Sequence, residues 1–253
     1  MLSQNELKYF TNLKQKKFRQ KEKKFLVEGY RLVKEALDSK YKCEILICNK
    51  SFVDKNNSLF AILQKRTRTE IISDAKFQKL SETKSPQGIV AVLSMYNAYA
   101  KIKDSEGLIV ALENISDPGN VGTIIRTCDW FGVRSVIVSP GSVDLFNSKV
   151  IRSTMGSLFH VNVYEAENFY SELDMLKNNG WEILCSDMDG DNIFSRKENK
   201  KVILILSNEA HGPTDEVLNL TDRIITIPKY GKAESLNVAS AAAIMIAELR
   251  NLC

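Results

Sequence analysis

Six short runs in the second half of the chain are almost wholly apolar: GLIVALEN (107–114), RSVIVS (134–139), VNVYE (161–165), WEILCS (181–186), KVILILS (201–207) and RIITIP (223–228). A strand buried on one face alternates apolar with polar, whereas a strand apolar at nearly every position is buried on both faces. Helical patterns fall between most of these runs. TIIRTCDWFG places Ile124, Ile125, Cys128 and Phe131 at i, i+1, i+4 and i+7, and NSKVIRSTMGSLF (147–159), ENFYSELDMLKNNG (167–180) and a last helix through residue 250 follow. The fold class implied is α/β, a parallel sheet covered by helices on both faces. Ligands of such sheets bind outside the carboxyl ends of the strands. That directs attention to three loops: DPGN (117–120), SNEAHGP (207–213) and PKYGKAESLN (228–237).

The first half reads differently. Residues 3–24 place Leu7, Phe10, Leu13 and Phe18 near helical spacing, with Lys14, Lys16, Lys17, Arg19, Lys21, Lys23 and Lys24 clustered late, which predicts a short amphipathic helix running into a basic segment. An extended FLVEG, helix YRLVKEALDS, strand CEILIC, a helix near Leu59–Leu63, a short EII strand, helix AKFQKLSE and strand GIVAVLSM then alternate as a compact α/β unit. The boundaries expected are 1–95 for this domain, 96–106 for a linker and 107–253 for the second domain.

Charge separates the same two regions. The net charge of +4 conceals 22 Lys+Arg against 10 Asp+Glu in residues 1–103, and 13 against 21 in the remainder. A half that basic suggests a polyanionic partner. With 44% hydrophobic and 26% charged residues the chain is of ordinary globular composition, which excludes disordered and collagen-like readings. No apolar run approaches the roughly 18 residues of a membrane helix, and the start MLSQNELKYF lacks the order of a signal peptide, so a soluble cytoplasmic protein is expected. Five cysteines without a C-x-x-C, and only two histidines, His160 and His211, leave no evident disulfide framework or metal centre. There is no P-loop, no G-x-G-x-x-G and no acidic-then-glycine-rich turn of Rossmann-type methyltransferases.

The three loops match a different pattern. DPGNVGTIIRTCDWFGV (117–133), SNEAHGP (207–213) and IPKYGKAESLNVASAAAI (227–244) resemble the three ordered motifs of the SpoU/TrmH group of SPOUT RNA 2′-O-ribose methyltransferases, and IRSTMGSLFHV (151–161) is similar to the segment between the first two. KFRQKEKKFLVEGYRLVKEAL and SPQGIVAVL resemble the ribosomal-protein-like substrate-binding domain that many of these enzymes carry at the N-terminus. The resemblance implies S-adenosylmethionine as methyl donor, RNA as substrate with ribosomal RNA favoured over transfer RNA, a homodimer with active sites at its interface, and a C-terminal trefoil knot. Chains almost never knot, so the knot rests on the resemblance alone.

For each motif residue the chemistry stands beside a plainer reading. Asn120 and Arg126 share a helix, where six positions turn by roughly 600° and leave them on different azimuths. Asn120 at or near the helix cap and Arg126 on the helix surface would suffice without function. The resemblance implies that Arg126 activates the ribose hydroxyl and Asn120 positions it. A guanidinium can hold a phosphate and stabilise a forming oxyanion, but it stays protonated, so the proton's destination is open. Glu209 matches the acidic position that orders the site. Main-chain groups near Ser207, Ile227 and Leu236, with Asn208, Gly212 and Pro228 beside them, would grip adenine, and Ser235 and Asn237 would line the reaction centre. Ser235 also has an N-cap reading. Ser207 stands where the family usually has glycine, and His211 where it varies. Lys17, Arg19, Lys23 and Arg152 are the candidate RNA contacts. Two rivals stand beside an enzyme acting on large-subunit ribosomal RNA: a transfer-RNA ribose methyltransferase of the same fold, and a non-catalytic RNA-binding protein.

Overall fold

The structure, a computed structural model, describes residues 2–95, 107–197, 201–208 and 210–252. The expected linker at 96–106 lies outside them. Two compact units emerge: residues 1–97 with Phe146–Phe159, and residues 98–145 with His160–Cys253.

In the first unit α1 (Gln4–Asn12), α2 (Lys16–Glu22), β1 (Lys24–Glu28), α3 (Tyr30–Leu37), β2 (Cys43–Asn49), α4 (Lys50–Lys55), α5 (Asn57–Arg66), β3 (Thr69–Ile72), α6 (Asp74–Leu80) and β4 (Ile89–Ser94) follow in order. Its sheet runs β1-β4-β2-β3, with β4 antiparallel to both neighbours and β2 parallel to β3. The short N-terminal helix expected is α1, and the basic segment after it forms a second helix, α2. A capping box starts α1: the Ser3 hydroxyl accepts from the Glu6 N–H at 3.2 Å while the Glu6 carboxylate accepts from the Ser3 N–H at 2.9 Å. Leu7, Phe10 and Leu13 then sink into a core with Ile45, Ile47, Phe77, Leu80, Val90 and Val92. Each such side chain contributes roughly 1.5–3 kcal/mol by burial. Past that core the chain turns, and α2 starts afresh at Lys16 and ends at Lys23 in the left-handed conformation.

The second unit holds β5 (Leu108–Glu113), α7 (Pro118–Trp130) and β6 (Ser135–Val138). After α8 (Ser148–Thr154), which groups with the first unit, come β7 (Asn162–Glu165), α9 (Phe169–Asn178), β8 (Glu182–Asn192), β9 (Val202–Ser207), α10 (Asp215–Leu220), β10 (Arg223–Thr226) and α11 (Val238–Leu252). All six strands are parallel, in the order β10-β8-β9-β5-β6-β7. The apolar runs are therefore its strands, as expected. Beyond Cys185 the register of β8 against β10 jumps to Asp191, so the residues between bulge outward. α10 was not anticipated, and α11 buries Val238, Ala239, Ala242, Met245, Ile246 and Leu249 along one face, packed against α7.

The helix predicted over 147–159 stops early. Met155 and Gly156 both adopt positive φ, 53° and 110°, and a short 3₁₀ turn covers Ser157–Phe159. A Cβ at Gly156 would lie 2.9 Å from Cγ of Glu35, so this turn against α3 requires glycine. Phe146 packs on Phe25 with ring centroids 4.4 Å apart, and Phe159 meets Tyr41 edge-on at 5.6 Å. Among the described residues no helix is long and apolar enough to cross a membrane.

Candidate active site

The loops after β5, β9 and β10 leave the same, carboxyl edge of the second unit's sheet, because the strands are parallel. After β5 the cap of α7 is Asp117, whose Oδ1 accepts from the Asn120 N–H at 2.9 Å, with Pro118 at the first helical position. Asn120 is thus inside the first turn and not its cap. Its side chain is used elsewhere: Nδ2 of Asn237 donates to Oδ1 of Asn120 at 3.0 Å. Oδ1 of Asn237 in turn accepts from the N–H groups of Ala239 (3.0 Å) and Ser240 (3.4 Å), so Asn237 opens α11. Ser235 is exposed outside the helix, and the cap considered for it belongs to Asn237.

Arg126 is exposed on α7, and its side chain has no hydrogen bond or ion pair with any described residue. No hydrogen bond joins it to Asn120, in keeping with their different azimuths. Four residues on, on the same helix face, Trp130 is 84% exposed.

The turn after β9 is pinned to the end of β5. Ser207 pairs in register with Glu113, whose carboxylate is fully buried. That carboxylate accepts from the hydroxyl of Ser207 (2.8 Å), the N–H (3.3 Å) and hydroxyl (2.6 Å) of Thr214, and the phenol of Tyr170 (3.2 Å). Burial, with the Glu113 carboxylate adding to it, raises the Tyr170 phenol above its ordinary pKa. Nδ2 of Asn208 donates to the carbonyl of Asn114 at 3.0 Å, and its main-chain carbonyl accepts from Gly212, which turns at φ 66° with open space around its Cα. His211 is exposed. Glu209 lies outside the described residues.

Beyond β10, Ile227 and Pro228 are half-buried, and residues 229–237 are exposed, Leu236 to 48%. The main chain of residues 229–236 makes no hydrogen bond with any described residue, which leaves its N–H and C=O groups open to a ligand.

The candidate RNA contacts divide. Lys17 and Lys23 are exposed, and no ion pair engages either side chain among the described residues. Arg19, expected at the surface, is 4% exposed; its Nη1 donates to the carbonyls of Leu13 (2.9 Å) and Lys14 (2.6 Å), so its guanidinium ties the end of α1 to α2. Arg152 is half-buried beside Arg19, Glu28 and Glu82 at a small cavity of the first unit, its Nη1 enclosed without a partner among the described residues. Sequence reasoning missed Glu113, Tyr170 and Thr214. The available signal was an acidic residue closing an apolar strand at the edge where ligands bind.

Residues 107–247 match the SpoU rRNA Methylase family, and residues 4–91 match the MRM3-like substrate binding domain. The chain is 35% identical over 246 residues to the 23S rRNA (guanosine(2553)-2′-O)-methyltransferase RlmP of Bacillus subtilis, covering 96% of this chain and 95% of that protein. Among solved structures, the AdoMet-bound rRNA methyltransferase from Sinorhizobium meliloti superposes with a TM-score of 0.87 at 29% identity, covering 99% of this chain and 97% of that one. The SpoU methyltransferase AviRb from Streptomyces viridochromogenes, solved with AdoMet, has the same fold, with a TM-score of 0.89 at 24% identity over 99% and 98% of the two chains.

Proposed function

The chain belongs to the SpoU rRNA methylase family, and from that premise we propose that it methylates a ribose 2′-hydroxyl of large-subunit ribosomal RNA, using S-adenosylmethionine. The observation that carries the reading is the joining of Asn120 and Asn237, residues of the first and third motifs, at the carboxyl edge of the parallel sheet.

The residues at that edge suit such a donor. The unpaired main chain after β10 and the open turn at Gly212 offer the amide groups an adenine ring needs, and Ser207, Asn208, Ile227, Pro228 and Leu236 would hold it. When bound, S-adenosylmethionine supplies an electrophilic methyl group. The protein's task is then to make a weak nucleophile competent. Arg126, its side chain exposed and without a partner among the described residues, holds the phosphate beside the reacting ribose and stabilises negative charge as it develops on the 2′-oxygen. Asn120, fixed by Asn237, positions the ribose; Ser235 lines the reaction centre and Glu209 orders it.

Arg126 acts on a ribose at the site of a second copy, in a homodimer. The exposed ring of Trp130 on the same face of α7, and Ile244, 37% exposed on the outer face of α11, support an apolar contact there. The C-terminal segment is threaded as the trefoil knot of SPOUT enzymes. Lys17 and Lys23 grip RNA phosphates, which position the substrate and leave base choice to other contacts. The protein works in the cytoplasm, where ribosomal RNA is made and modified.

The test is to map 2′-O-methyl groups on ribosomal and transfer RNA with and without the gene. Loss of one ribosomal methyl is expected. Loss confined to transfer RNA would reassign the substrate, and no loss in either would overturn the proposal.

A further inference from the structure

Glu113 is a buried carboxylate with no cation among its partners in the described residues. Its two oxygens receive four neutral donors: Oε2 takes the Ser207 hydroxyl and the Thr214 N–H, and Oε1 takes the Thr214 hydroxyl and the Tyr170 phenol. Burying a charge without a counter-ion is costly even when it is hydrogen-bonded. A neutral side chain of similar size would pack the end of an apolar strand at lower cost. The location suggests what the charge accomplishes. Ser207 and Thr214 are the two ends of the turn that carries Asn208 and Gly212, and one carboxylate closes that turn like a clasp. Between the ends, Asn208 is fastened to the carbonyl of Asn114, the residue next to Glu113.

We propose that Glu113 is the positioning residue of the methyl-donor site, holding Ser207 and Thr214, and with them Asn208 and Gly212, in place for the donor. This rests on the donor reading above and adds a residue to it. It also gives Ser207, standing where the family usually has glycine, a purpose. The residue ends β9 in ordinary extended backbone, with its hydroxyl directed to Glu113, so its side chain occupies the core side of the turn and leaves the ligand side to the main chain. The carboxylate touches neither reactant. It sets affinity for the donor, and the rate of transfer from the bound donor is set elsewhere.

Calorimetric binding of S-adenosylmethionine and steady-state methylation, each on the full-length protein, test this. Ser207→Ala and Thr214→Val, which each delete one hydroxyl, should weaken donor binding about 3- to 10-fold, the range of a single hydrogen bond, with kcat within about twofold of wild type. Thr214→Ser should restore the loss. Glu113→Gln should weaken binding at least about tenfold, and Ser207→Ala added to it should change little further, since both act through one carboxylate. Donor affinity unchanged in all the variants, or losses from Ser207→Ala and Glu113→Gln that add in full, would overturn the assignment. Should Glu113→Gln fail to fold by circular dichroism, the Ser207 and Thr214 variants decide by the KM and kcat split alone. A wild-type protein that binds no donor would overturn the activity itself; normal wild-type binding with unmoved variants overturns only the role of Glu113.

Discussion

Asn237 holds Asn120 by a 3.0 Å hydrogen bond spanning 117 residues of chain, and the same side chain starts α11 with its other atom. The two jobs use opposite ends of one amide. Its oxygen is committed to the N–H groups of Ala239 and Ser240, which leaves the nitrogen as the donor toward Asn120.

This division makes the two jobs separable. Asn237→Asp keeps an oxygen for the helix and loses the donor, so it should remain within a few tenths of a kcal/mol of wild-type stability while methyl transfer falls at least about tenfold. Asn237→Ala should lose the activity and about 1 kcal/mol as well. Urea unfolding alongside single-turnover assays measures both, and an aspartate variant with wild-type turnover would show that the bond to Asn120 is idle.

The Arg126 side chain has no partner among the described residues, so removing it should leave the fold intact. Arg126→Ala is expected to lower kcat by about 10²–10³-fold, the scale of one oxyanion-stabilising group, with donor affinity unchanged. Arg126→Lys should recover little, because an ammonium cannot make the bidentate contact. A drop in donor binding as large as the drop in turnover would remove Arg126 from the transfer step.

The basic residues of α2 should separate by burial. Replacing exposed Lys17 and Lys23 together with alanine should weaken binding of a large-subunit RNA fragment and reduce the slope of log affinity against log salt by about 1–2, with no change in melting temperature. Arg19→Ala should do the reverse in kind: it strips the donor from the carbonyls of Leu13 and Lys14, just past α1, costing about 1–3 kcal/mol of stability, and should leave the salt slope as it was. Filter binding across a salt series, with melting curves, tells them apart.

The capping box makes a pH prediction. The Ser3 N–H foremost, then the Ser3 hydroxyl and Arg68, hold the Glu6 carboxyl at about 2, below its ordinary 4.5. A depressed folded value means that the stabilisation is complete above 4.5 and is lost as pH falls toward 2. The melting-temperature gap between wild type and Glu6→Gln should therefore narrow below pH 4.5 and close near pH 2. A gap constant across that range would mean that the carboxylate form plays no part.

Much of this was legible in sequence, for reasons that differ by element. The strands of the second unit were visible because burial on both faces makes each an unbroken apolar run. Their spatial order was not, since β8 and β9 follow one another in the chain while β5 lies beyond β9, and no local pattern records that. The helix α2 was hidden in what read as a basic segment, because its lysines mask the one inward-facing cation, Arg19, whose guanidinium is used inside the protein. Short α10 escaped notice because its six residues complete fewer than two turns. Asn120 and Asn237 were found through motifs, whereas Glu113 was not, because its partners Tyr170, Ser207 and Thr214 lie 57, 94 and 101 residues away. A residue whose role depends on such distant partners looks, in sequence, like the polar end of a strand.

The grouping of Phe146–Phe159 with the first unit governs how the polypeptide can be divided and in what order it can mature. Cutting between residues 95 and 107 would leave Phe25 and Tyr41 without Phe146 and Phe159, and would leave those two rings stranded on the other fragment. During synthesis the N-terminal unit must wait, incompletely packed, until some fifty residues of the second unit have followed it from the ribosome. Its completion is therefore timed by the emergence of residues 146–159, which the sequence carries inside the stretch that builds the second unit.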